Sequence, residues 1–275
     1  MRMFLYTPST PRASAPLVVV LHGCELDAQN YAYHAGWNTL ADAHGFYVVL
    51  PQQSASNNQN RCFNWFAAGD TQRGSGEAGS IAQMVTYMRD HYGVDSKQIY
   101  ASGMSAGGAM VAALLAAYPD VFAGGAISAG VPYGCASSVF EAFTCMDGVD
   151  QSASQWAAEV RAADSSYSGP YPKVALFHGK SDTLVAYANL AELVEQWTAV
   201  HGADQTPDET TAIGAHQRLR FKDAKGQVVV EAYQLSGMDH GLAIDPAEGG
   251  VAGYGVFHPV HVWAPARAIA LWGIQ

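Results

Sequence analysis

The chain has 275 residues, 49% of them hydrophobic and 14% charged, and a formal net charge of −10. That length fits one large domain or two small ones, with enough apolar material for a sizeable core. Its 28 glycines follow no period and no basic cluster stands out, which excludes collagen-like and low-complexity classes and a phosphate-backbone partner such as nucleic acid. No run of 18 apolar residues occurs, so no membrane span is expected. An acidic, charge-poor surface favours solubility and leaves room for contact with an uncharged substrate.

Met1–Tyr6 already reads as a strand and no signal peptide is visible, which leaves two alternatives: a leader absent from this chain because it has been removed, or a cytosolic protein. Leu17–Leu21 is a fully buried strand by composition, and a helix is expected over Asn30–His44, ending before Gly45. Tyr47–Leu50 is the next strand, stopped by Pro51. Residues 52–78, rich in Asn, Gln, Ser and Gly, read as a surface excursion. Ile81, Met84, Val85 and Met88 give helical spacing to Gly79–Tyr92. A strand at Ile99–Ser102 runs into Gly103, a helix follows over Ala106–Tyr118, and Ala123–Ser128 is strand-like. Residues 132–170 read as a second excursion with a helix at Ala153–Ala163. Strand Val174–His178, helix Ala186–Val200, a strand pair Gln217–Phe221 and Val228–Leu235, and helix Pro265–Trp272 complete the chain. This alternation predicts an α/β fold, a mostly parallel sheet with helices on both faces. No internal repeat or dividing linker is visible, so one domain over 1–275 is expected.

Gly103-Met104-Ser105-Ala106-Gly107 matches G-x-S-x-G, the nucleophile elbow, with a strand before it and a helix after it. Chemistry needs this spacing. A sharp turn exposes the serine hydroxyl, the glycines admit close backbone approach, and the helix N-terminus aims N–H groups at a developing oxyanion. Ala126-Ile127-Ser128-Ala129-Gly130 lacks the first glycine and leads into a loop, so Ser128 reads as a strand-end serine. A serine nucleophile needs a base, and in this fold the order is Ser, then Asp or Glu, then His. Asp182 lies just beyond strand Val174–His178, where catalytic groups sit in open α/β sheets; its bland alternative is a helix cap. Of the five histidines after Asp182, His240 lies in a small-residue loop, Ser236–Gly241, directly after strand Val228–Leu235. His258 is the second choice. His258 and His261 form an H-x-x-H without a matching carboxylate or cysteine set, so no metal site is expected. His178 reads as a strand-end histidine satisfied by hydrogen bonds. Leu21-His22-Gly23-Cys24 follows the first buried strand, the position that supplies a second oxyanion donor; the N–H groups of Cys24 and Ala106 are the expected pair.

Cys24, Cys62, Cys135 and Cys145 allow three pairings, and no CxxC occurs. Four buried thiols are the alternative to two disulfides. Two disulfides are favoured, and with them an oxidising compartment, secreted or periplasmic.

With these segments in place, the sequence resembles the polyhydroxybutyrate-depolymerase family of esterases, which includes feruloyl and acetylxylan esterases. The resemblance spans nearly the whole chain. Its matching stretches include Leu21–Cys24, Gly36-Trp37-Asn38, Pro51-Gln52-Gln53, Cys62–Phe66, Gly103–Gly108, Phe122–Ala126, Tyr133-Gly134-Cys135, His178–Asp182 and Gly237–Gly241. It implies an α/β-hydrolase fold, a triad of Ser105, Asp182 and His240, and carboxylic ester hydrolysis through an acyl-enzyme without metal or cofactor. It also implies pairing Cys24 with Cys62 and Cys135 with Cys145. The resemblance makes a polyhydroxyalkanoate-type polyester, its oligomers and short-chain esters the first expectation for substrate, with feruloyl or acetylxylan esters as the alternative. Full-length polymer-degrading members often carry an appended binding domain, and none is read after Gln275.

Trp65, Phe66, Tyr133 and Trp37 are candidates for the pocket wall, with Trp65 and Tyr133 the substrate-binding choices; core packing is the competing role for any one aromatic. Glu77, between glycines ahead of a helix, is a structural cap or a pocket carboxylate, and the structural role is favoured. A serine peptidase of the same fold would need an acidic pair to grip a substrate amine, and no motif offers one. A non-catalytic hydrolase-fold protein would be expected to have lost a triad member.

Overall fold

The computed structural model describes residues 1–253 and 255–275. In chain order the elements are β1 (Arg2–Tyr6), β2 (Leu17–Leu21), α1 (Ala28–Ala35), α2 (Trp37–His44), β3 (Tyr47–Gln52), α3 (Ala68–Thr71), α4 (Gly76–Tyr92), β4 (Ile99–Met104), α5 (Ala106–Ala117), β5 (Gly124–Ser128), α6 (Val139–Asp147), α7 (Ala153–Ala163), β6 (Lys173–Gly179), α8 (Ala188–His201), β7 (Glu209–Ile213), β8 (His216–Lys222), β9 (Val228–Leu235), β10 (Leu242–Ile244), β11 (Phe257–Pro259) and α9 (Ala264–Trp272). Among the described residues, nine strands form one sheet in the order β1-β3-β2-β4-β5-β6-β9-β8-β7, and β10 and β11 form a separate parallel pair. The six central strands, β3 through β9 in that order, run parallel. β1 is antiparallel at one edge, and β8 and β7 are antiparallel at the other.

Parallel strands joined by helices are covered on both faces, so β2 is Leu-Val-Val-Val-Leu without a polar residue, and all five are buried. Side chains alternate between faces. Leu17, Val19 and Leu21 pack with α4, α5 and α8, whereas Val18 and Val20 pack with α1, α2 and α9. Helix α5 lies wholly inside the molecule, all twelve residues buried, which its Ala-, Gly- and Leu-rich sequence permits.

Two sequence expectations need correction. The single helix over Asn30–His44 is two helices, broken at Gly36, whose φ of 83° caps α1 and opens α2. A side chain there would strike the Trp263 ring and the Gly249 carbonyl, so the bend is fixed by packing. Pro51 does not stop β3. The strand continues to Gln52 because β1 pairs along it, with Met3 opposite Pro51. Helices α3 and α6, strand β7 and the short pair β10–β11 were not expected.

Close approach at the elbow explains its glycines. A methyl group on Gly103 would run into the Gly107 backbone, and one on Gly107 into the carbonyl oxygens of Leu21 and His22. Helix α5 is thereby pressed against the carboxyl ends of β2 and β4, where Ser105 emerges.

Candidate active site

Ser105 has φ 57° and ψ −125°, a left-handed conformation that no serine adopts without being forced. Its N–H donates to the Ser128 carbonyl (2.9 Å) and its own carbonyl accepts from Ala109 N–H (2.9 Å), so both sides of the turn are pinned. Ala106 is the first residue of α5, and its N–H therefore lacks an intrahelical acceptor. Across from it, the turn at Gly23 is so close that a methyl there would lie 3.5 Å from Ser105 Cβ.

His22 holds that turn. Its Nε2 accepts the Gln53 backbone N–H (3.1 Å), so the proton sits on Nδ1 and is donated to the Gly23 carbonyl (2.7 Å). Gly23 C=O and Cys24 N–H belong to one planar peptide, so this bond also fixes the direction of the Cys24 N–H. Burial, the dominant influence, pulls the His22 pKa below its ordinary value and keeps the ring neutral.

Asp182 and His240 come together from loops after β6 and β9, with His240 Nδ1 2.8 Å from Asp182 Oδ2. The other carboxylate oxygen accepts from Leu184 N–H (3.0 Å) and Val185 N–H (2.8 Å). Burial opposes ionisation of Asp182, but hydrogen bonds from His178 and His240, the His240 charge and the Val185 N–H outweigh it and hold the carboxyl well below the usual carboxylate range. The two loops are stitched by Ser181 N–H to the Met238 carbonyl (3.0 Å) and by Asp239, whose Oδ1 accepts from Thr183 N–H (3.3 Å) and His240 N–H (2.8 Å). Ser105, Asp182 and His240 thus all lie at the carboxyl edge of the parallel sheet. A cavity of about 410 Å³ lined by Lys97, Tyr171, Lys173 and His201 opens at the amino ends of the strands and contains none of them.

A strained serine at a helix start, close to a turn with an oriented N–H, at the same sheet edge as a carboxylate–imidazole pair, is the equipment of acyl transfer. Comparison with known proteins agrees. The family model described as esterase PHB depolymerase matches residues 2–220. The chain belongs to this family. Poly(3-hydroxyalkanoate) depolymerase C of Paucimonas lemoignei is 48% identical over 250 residues, covering 90% of this chain and 60% of that protein, so the chain spans less than two thirds of that relative's length. Feruloyl esterase B of Talaromyces funiculosus is 31% identical, covering 89% of this chain and 70% of that protein. Among solved structures, the acetyl xylan esterase of Aspergillus awamori superposes with a TM-score of 0.83 at 25% identity, covering 99% of this chain and 94% of that one. The fold is the α/β-hydrolase fold.

Within this PHB-depolymerase-family chain, three supporting histidines escaped the sequence reading of roles. His22 was read only as part of its motif. His178 is more than a satisfied strand-end residue: its Nε2 bonds the Val185 carbonyl (2.9 Å) and lies 3.3 Å from Asp182 Oδ2, while its buried Nδ1 has no partner among the described residues. His258, the second choice for the base, instead donates from Nε2 to the His240 carbonyl (2.9 Å) and fixes that loop.

The pocket-wall candidates separate. Trp37 is wholly buried, stacked 6.4 Å from Trp272 and packed edge-on against Phe46, so its place in the wall is wrong; α2 turns it into the core on the far face of the sheet. Trp65 is half-buried against the cluster of Ala109, Val131, Cys145 and Val185, next to the elbow and the acid loop. Its neighbour Phe66 packs edge-on against it at 5.5 Å. Tyr133 packs on the main core, with its backbone N–H and carbonyl both clamped by the Gln196 amide (3.0 and 2.9 Å).

Both disulfides are present, Cys24–Cys62 and Cys135–Cys145, and no cysteine is free. The first closes a loop with a sequence separation of 38 and ties the turn beside Ser105 to the 52–78 excursion. In the chain-entropy account such a bridge contributes about 4 kcal/mol. Reduction is expected to raise the intact mass and to abolish activity at temperatures where the circular dichroism is still native. Four free thiols in unreduced protein would contradict this.

Glu77 is structural, as expected, but it is no helix cap. It is buried and accepts from the Gln53 side-chain amide, Asn57 Nδ2 (2.7 Å) and Asn64 N–H (2.8 Å), pinning the excursion that carries Cys62. Burial, helped by Asp70 and opposed by these hydrogen bonds, pushes its pKa from 4.5 up to about 7. A raised acid pKa means that the folded chain holds a proton the unfolded chain has released. Its contribution is full below pH about 4.5 and is lost as pH rises through 7. Relative to Glu77→Gln, the unaltered protein should therefore lose about 2 kcal/mol between pH 5 and 8. Urea midpoints of the two proteins across that range test this; parallel curves would contradict it.

Proposed function

We propose that this chain is a serine esterase that hydrolyses carboxylic esters through an acyl-enzyme, residues 1–275 acting as one catalytic domain. Ser105 is the nucleophile. His240 takes its proton during attack and returns it to the leaving alcohol; Asp182 fixes the imidazole tautomer and stabilises its cation. The N–H groups of Cys24 and Ala106 receive the oxyanion, each worth on the order of 100- to 1,000-fold in rate. Water then attacks the acyl-enzyme with His240 again as base. The observation that carries the reading is the strained Ser105 turn at the same sheet edge as the 2.8 Å Asp182–His240 bond.

The preferred substrate is a polyhydroxyalkanoate-type polyester, its oligomers and short-chain esters, supported by 48% identity to a poly(3-hydroxyalkanoate) depolymerase. Feruloyl or acetylxylan esters are the second reading, supported by the 0.83 TM-score to an acetyl xylan esterase. The two disulfides support an oxidising compartment, secreted or periplasmic. A panel of p-nitrophenyl esters of graded acyl length, methyl ferulate, acetylated xylan and hydroxybutyrate oligomers separates the two. Highest kcat/KM on the oligomers supports the first; highest on ferulate or acetylxylan replaces it.

A further inference from the structure

Helix α6 inverts the ordinary burial of aromatic side chains. Ala142 and Cys145 point inward, while Val139, Phe140 and Phe143 are 57%, 83% and 65% exposed. Leu184, two residues beyond Asp182, is 54% exposed. Isolated apolar residues on a surface are ordinary, but two phenylalanines and a valine on one face of one helix are not.

This face is fixed beside the proposed catalytic groups. The inner side of α6 joins the cluster of Ala109, Val131, Cys145 and Val185; Ala109 lies one turn beyond Ser105, and Val185 N–H bonds Asp182. Ala186 N–H donates to the Met146 carbonyl (2.7 Å), and Asn189 Nδ2 to the same oxygen (3.1 Å), so the end of α6 is tied to the loop that carries Leu184. The Cys135–Cys145 bridge anchors the helix to the loop before it. A mobile lid would not be secured at so many points.

Charge selects what the face meets. No Lys or Arg occurs anywhere from Gln98 to Val160, and α6 itself carries Glu141 and Asp147. Glu141 and Asp147 repel a phosphate-bearing surface, whether nucleic acid or anionic lipid, and the one basic residue of the adjoining loop, Lys180, is held over the Tyr187 ring at 6.0 Å. An uncharged surface is not repelled. We propose that the outer face of α6, continued by Leu184, is an adsorption surface that seats the protein on a solid, uncharged polyester and brings its ester groups to Ser105. The proposal rests on the esterase reading above and adds to it a polymer-contacting surface within the chain itself.

The test uses a suspension of poly(3-hydroxybutyrate) particles, with depletion of protein from the supernatant as the binding readout and p-nitrophenyl butyrate as a soluble substrate. The double substitution Phe140→Ser with Phe143→Ser should weaken partitioning by at least about tenfold, since each phenylalanine loses its apolar contact. Soluble turnover should stay within about twofold, because neither side chain touches the proposed catalytic groups. The pair Phe140→Leu with Phe143→Leu should retain most of the binding. Unchanged partitioning of the Ser pair overturns the proposal. So does preferential binding of the unaltered protein to phosphatidylglycerol vesicles, or a dimer that the Ser pair converts to monomer, which would make α6 a contact between two copies. Lack of soluble turnover in the unaltered protein would instead overturn the esterase reading, and the particle assay tells the two failures apart.

Discussion

Ser105→Ala is expected to lower kcat for every ester the protein hydrolyses by about 10⁵- to 10⁶-fold, the scale on which removal of a serine nucleophile acts elsewhere. The change deletes one oxygen and little else. Alanine suffers the same left-handed strain at φ 57° as serine, and both backbone bonds that pin the turn, to Ser128 and from Ala109, involve main-chain atoms that survive. The melting temperature should therefore remain within a degree or two, consistent with a loss of well under about 1 kcal/mol. Residual catalysis would come from the Cys24 and Ala106 N–H groups polarising a bound carbonyl. A variant retaining more than about a tenth of wild-type turnover would place the nucleophile elsewhere.

The second large effect is Asp182→Asn, about 10⁴-fold in kcat, and its cause can be traced atom by atom. Leu184 and Val185 direct two N–H donors at Asp182 Oδ1, so an asparagine must keep its carbonyl oxygen there. Its amide nitrogen is then forced toward His240 Nδ1. A donor at that point moves the imidazole proton to Nε2, and the ring can no longer accept the proton of Ser105. The same nitrogen would face His178 Nε2, already a donor to the Val185 carbonyl, which adds a local loss of about 1–2 kcal/mol. Asp182→Asn should thus be both inactive and measurably less stable, unlike Ser105→Ala. Equal stability of the two variants would mean that His178 does not contact the carboxylate as described.

Much of this site was legible before the fold was known, for local reasons. The elbow fixes small residues two before and two after the serine because α5 and β2 must approach within contact distance, and that demand is written in five consecutive positions. Asp182 and His240 followed from chain order and from their places just past predicted strands. The supporting residues were hidden because their partners are remote: His258 reaches the His240 carbonyl only through β10 and β11, strands of three residues that leave no periodic trace. Helix α6 was missed for a different reason. Its large apolar residues face outward, so the stripe that marks a helix in a sequence does not coincide with a buried face. Trp37 was misplaced because the bend at Gly36, which swings α2 under the sheet, is set by contact with Trp263 and Gly249 more than two hundred positions away.

The most direct test of Ser105 as nucleophile is covalent capture. The protein is treated with an alkyl fluorophosphonate, which phosphonylates an activated serine, and is then digested and mapped by mass spectrometry. The account predicts one adduct per chain, on Ser105, absent from Ser105→Ala and strongly slowed in Asp182→Asn. An adduct on Ser128 or any other serine, or no adduct in a preparation that turns over esters, would contradict it.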